Sequence, residues 1–96
     1  MSRATLSNAA VSDLRDIWWY TAGNWGVEQA DRYADDIQSV CDDLASVKKI
    51  GRPVHEHVGY FRYTIARHVI FFKEQGDAIF VARILHERMD LVRHLE

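Results

Sequence analysis

Residues 77–90, DAIFVARILHERMD, decide the fold. Residues 78–85 read as one strand, apolar but for a single arginine. A run this long, rich in Ile, Val and Phe, predicts a central strand buried on both faces. Strict alternation places Ile79, Val81, Arg83 and Leu85 on one face and Phe80, Ala82, Ile84 and His86 on the other. Arg83 is then a charge set into an apolar ladder, which is costly unless it is paired. Two pairings stand open. Arg83 meets an acidic or phosphate group on a partner, with bidentate geometry available, or it pairs internally with Glu56, Glu87 or Asp90. His86, Glu87 and Arg88 give a charged exit, and residues 89–95 predict a short closing helix.

Upstream, residues 3–6 suit a short strand, and Ser7 or Asn8 an N-cap. Ala10, Leu14, Ile17, Trp18 and Thr21 recur at helical spacing, with Asp13, Arg15 and Asp16 elsewhere on the wheel, so residues 9–22 predict an amphipathic helix. Residues 23–26, GNWG, break it. A second helix spans 27–47, with Glu28 in its first turn, where the dipole favours negative charge. The two form an αα-hairpin. Gly51, Arg52 and Pro53 mark a loop. Residues 54–58 read as extended, 60–65 and 68–73 as strands joined at Ala66 and Arg67, and 74–77 as a hairpin turn with Gly76 free to take a positive φ. The expected architecture is α+β: β-α-α-β-β-β, a helical hairpin packed on a small antiparallel sheet, then a short helix. The last two strands are apolar on both faces and the hairpin covers one. The other is expected to stay open, and an exposed apolar patch marks a binding surface.

With 96 residues the chain makes one domain, 1–96, around one core. The net charge of −2 lacks the basic surplus of a protein that grips a phosphate backbone, so sequence-specific nucleic-acid binding is not expected. Cys41 stands alone on an apolar helical stripe, which predicts a small buried hydrophobe. No stretch has transmembrane length, so no membrane is expected, and the cytoplasm is the default location. His55 and His57 share a strand face but lack a third ligand, so neither a metal nor a cofactor is expected. No catalytic array stands at meaningful spacing.

Four phrases together resemble the ParE toxins of the RelE/ParE superfamily: DLRDIWWYTAGNWGVEQADRY (13–33), GRPV (51–54), GYFRYTIARHVIFF (59–72) and ARILHERMDLVRHL (82–95). The resemblance implies the same fold and a bacterial toxin–antitoxin pair. It implies a ParD-like antitoxin wrapping the toxin as a hetero-oligomer, and DNA gyrase as a target inhibited by binding. The superfamily's RelE-like branch, which cuts ribosome-bound mRNA, is the alternative. Arg83 matches its strand arginine, but middle-strand lysines are missing and no tyrosine follows Tyr63. Trp18 reads as core. The expected partner contacts, for antitoxin or target, are Trp19, Arg67, His68, Arg83, His86 and Arg88, chosen as an off-stripe aromatic, a turn, a strand cation and a charged exit.

Overall fold

The computed structural model describes residues 3–89 and 91–94. Asp90 as an Arg83 partner, and Leu95 as the end of the closing helix, lie outside the described residues. The elements run β1 (Ala4–Leu6), α1 (Asn8–Trp25), α2 (Val27–Ala45), β2 (Arg52–Pro53), β3 (Phe61–Ile65), β4 (His68–Gln75), β5 (Ala78–His86) and α3 (Leu91–His94). One sheet, ordered β1-β5-β4-β3-β2, lies under the αα-hairpin. β2 through β5 pair antiparallel, whereas β1 pairs parallel to β5 and makes the sheet mixed.

Ser7 is the corner of the fold. Its hydroxyl accepts the Ala10 N–H at 2.9 Å, capping α1, and donates to the Ala82 carbonyl at 2.6 Å. α1 runs past the expected break at Gly23 and stops at Gly26 (φ 98°), which links the two helices by itself. An L-residue with a side chain seldom adopts that angle, so glycine is required there. α2 ends two residues before its predicted limit: Val47 takes φ 62°, a strained angle for a β-branched residue, on an exposed turn.

The face assignment of β5 needs correction. Phe71 pairs with Arg83 but Phe72 pairs with Val81, so Ala82 is an extra residue, a β-bulge. Beyond the bulge the alternation reverses. Ile84 joins Ile79 and Val81 under the helices, in a core with Ile37, Cys41 and Ile70. Arg83 and Leu85 turn to the far face instead. The bulge also answers where the backbone bonds go at this edge. β1 ends at Leu6, opposite Val81. Past that point the Ala82 carbonyl is met by Ser7, and the Ile84 N–H donates to Asp13 Oδ2 at 2.9 Å.

The far face is not open, contrary to expectation. Val54, Val69, Phe71, Leu85 and Leu91 form a second core, each 6% exposed or less, with Tyr60 packed against it. Residues 54–60 are not an extended strand. They fold back as turns, with the Val54 N–H donating to the Tyr60 carbonyl at 2.9 Å, and this lays Val54 and Tyr60 over the sheet. Of the exposed large apolar side chains, four are on α1: Val11, Trp19, Tyr20 and Trp25.

Candidate partner-binding groove

The Arg83 guanidinium is held inside the fold, by an acid not foreseen. Its Nε and Nη2 donate to Asp13 Oδ2 and Oδ1, both at 2.8 Å, and its Nη1 donates to the His94 carbonyl at 2.7 Å. The pair therefore ties α1 to α3 around the edge of β5, and the carboxylate is Asp13 rather than Glu56 or Glu87. Hydrogen bonding to Asp13 raises the Arg83 pKa, burial opposing, so the cation stays charged.

On the other side of β5, the end of the sheet and the helical hairpin frame a groove of about 760 Å³. Tyr20 and Trp25 of α1 form one wall, with Ile17 and Thr21 deeper. Tyr33 of α2, Arg67 of the β3–β4 turn, His68 and His86 form the other. His68 and His86 are cross-strand partners, with ring centres 5.5 Å apart and edge-on. The Tyr33 hydroxyl lies 2.7 Å from His68 Nδ1 and 3.3 Å from the Ile65 carbonyl. At Ala66 the turn takes φ 51°, a strained angle placed beside the groove.

Burial lowers the His68 pKa, the His86 imidazole adds to this, and Glu87 opposes it. Burial raises the Tyr33 pKa, with Asp36 adding and an Arg67 backbone hydrogen bond opposing. The folded state thus holds its His68 proton less tightly than an unfolded chain, whose value is about 6.5. The His68 contribution is fully present above that pH and is lost as the pH falls from about 6.5 toward the lowered folded value, because the unfolded chain binds more protons there. Urea midpoints measured across this window should fall with acidification in the wild type and fall less in His68→Gln.

Of the expected contacts, Arg67, His68 and His86 come together in this groove. The Arg88 N–H donates to His86 Nδ1 at 3.2 Å, which places Arg88 next to it. Trp19 is 65% exposed but does not line the groove, and Arg83 belongs to the Asp13 pair. Sequence reasoning missed Tyr20, Trp25 and Tyr33; the density of aromatics in the hairpin was the available signal. Trp18, read as core, is only half-buried, and its Nε1 donates to Asp31 Oδ1 at 2.8 Å. Burial pushes the Cys41 thiol up to about 12, so it is a packing group without nucleophilic character. His57 stacks edge-on against Tyr60. Among the described residues no group of three or more His, Cys, Asp or Glu side chains is placed to hold a metal ion, and no helix is long and apolar enough to cross a membrane.

The family model described as ParE toxin of type II toxin–antitoxin system, parDE, matches residues 4–91. Toxin ParE1 of Mycobacterium tuberculosis is 40% identical over 96 residues, covering 98% of each chain. Toxin ParE1 of Caulobacter vibrioides is 37% identical over 91 residues, covering 94% of each. A chain in the structure of a chromosomal ParDE system from P. aeruginosa shares the fold, with a TM-score of 0.76 at 24% identity over 90% of this chain and 95% of that one. A match spanning β1 to the start of α3, joined to relatives at this identity over nearly their whole length, leads to one conclusion: the chain belongs to the ParE toxin family of type II toxin–antitoxin systems.

Proposed function

We propose that this chain, as one toxin domain over residues 1–96, inhibits DNA gyrase by binding it, and that a ParD-like antitoxin neutralises it in a cytoplasmic hetero-oligomer. The observation that carries the reading is the family match across residues 4–91. The α1 aromatics and the groove beside them support a binding role, since exposed aromatics rimmed by polar groups suit a protein interface. Trp19, Arg67, His68, His86 and Arg88 are the proposed contacts. Arg83 serves them from behind, by fixing α1 and α3 against β5.

Purified toxin should block gyrase supercoiling and accumulate cleaved DNA, and added antitoxin should restore supercoiling. Intact supercoiling together with defined cuts in ribosome-bound mRNA would instead assign the RelE-like activity and overturn this reading.

A further inference from the structure

The groove runs along the helical hairpin, and its two ends differ in chemistry. On α1 its lining passes from Asp16 through Tyr20 to Trp25, and on α2 from Gln29 to Tyr33. Trp25 and Gln29 flank the Gly26 link at the hairpin apex. The other end meets the sheet: Asp13, a turn before Asp16, bonds the Ile84 N–H of β5, and the Tyr33 hydroxyl meets His68. Helix rise from Asp16 to Trp25 puts about 13 Å between the two ends.

The apex end is aromatic. Tyr20 is 65% and Trp25 67% exposed, with ring centres 6.2 Å apart and planes at 61°. Rings at that angle do not sandwich a flat guest, but such a guest stacks on Trp25 and meets Tyr20 at its edge. The sheet end carries donors. Arg67 is exposed on the β3–β4 turn. His86 Nδ1 accepts the Arg88 N–H at 3.2 Å, so the neutral ring carries its proton on Nε2. The Tyr33 hydroxyl occupies His68 Nδ1, which leaves Nε2 as the remaining polar atom of that ring. Two acids oppose an anion here, Asp16 on the α1 wall and Glu87 beside His86.

We infer that the groove binds a mononucleotide, its base stacked on Trp25 and its phosphate held by Arg67 and the Nε2–H of His86. A volume of about 760 Å³ is that of pockets that take small organic ligands. The distance between the ends selects among such ligands. Inorganic phosphate has nothing to place on the aromatic end, and a simple aromatic acid is too short to reach both. A nucleotide carries a flat ring and a phosphate with a sugar as spacer. Stacking tolerates any base, because every base has a π face, and the Gln29 amide stands where it can read the base edge. The planar fork of Arg67 suits phosphate oxygens. Asp16 works against that charge, so the site binds with modest affinity.

Calorimetric titration of the full-length toxin with adenosine monophosphate tests this. The nucleotide should bind with a submillimolar dissociation constant, while adenosine and inorganic phosphate each bind at least about tenfold more weakly. Trp25→Ala and Arg67→Ala, both at exposed positions, should each weaken nucleotide binding about tenfold. Trp25→Phe should keep the binding and lose most of the tryptophan quenching that the nucleotide causes in the wild type. Asp16→Asn should tighten the nucleotide a few-fold and leave adenosine unchanged, a gain that damage to the fold would not produce. Thermal melts establish that each variant is folded. No binding at millimolar nucleotide overturns the inference, and so does binding that ignores both alanine substitutions. A single-stranded RNA oligonucleotide held far more tightly than the mononucleotide also overturns it. Gyrase supercoiling is measured separately, so failure here leaves the toxin reading standing.

Discussion

Replacing Asp13 with alanine should cost about 3 kcal/mol of stability, read from urea or guanidinium midpoints, because it strands a cation that the fold has largely withdrawn from water. The Arg83 and Asp13 side chains are only 20% and 12% exposed. Without the carboxylate, two of the three recorded guanidinium bonds vanish and the Ile84 N–H loses its acceptor at the bulge. The residual exposure of Arg83 lets some water return, which keeps the loss below that of a pair sealed in a deep interior. Removing both charges with Asp13→Ala and Arg83→Met should recover about half of the loss, since the penalty lies in the unpaired cation more than in the missing bond. A single-variant loss under about 1 kcal/mol would place the pair among ordinary surface bridges and deny it the role of tying α1 to α3.

Phe71→Ala should cost about 3–4 kcal/mol and leave antitoxin affinity unchanged for the molecules that stay folded. Phe71 is 4% exposed within the far-face core, beneath Val54 and Leu91, and the Arg62 guanidinium lies 5.7 Å from its ring centre. A ring that belongs to the free toxin's own core weighs on folding. A ring waiting for a partner would weigh on binding. A small stability loss with a large binding loss would restore the open-face picture that the strand pattern alone suggested.

Most of the elements were legible because each rests on a local rule. Three-and-four spacing marks α1 and α2, apolar alternation marks β3, continuous apolar runs mark β4 and β5, and Gly76 marks their last turn. What escaped depends on distance or on one backbone irregularity. Asp13 and Arg83 are 70 residues apart, and no periodicity pairs them. Ala82 looks like any other strand residue, yet as the bulge it reverses the face of everything after it, including His86. The cover over the second core came from residues 54–58, read as extended after Pro53, whose hydrogen bonds instead close turns. The groove was half legible. Arg67, His68 and His86 stood out as charged strand ends, whereas Tyr33 kept core spacing on α2, and Trp19 drew attention that Tyr20 and Trp25 merited, since one residue of rotation on α1 decides which ring faces the sheet end.

β1 stops at Leu6, and from Ala82 onward β5 meets a serine hydroxyl and a carboxylate where a sixth run of backbone would fit. A negative group bonded to the rim amide denies a sister molecule the template it would need for fibril-like stacking. The same two side chains that finish the domain therefore also help keep it dispersed when many copies are present, and a chain lacking Asp13 should grow turbid on concentration sooner than it loses its helices.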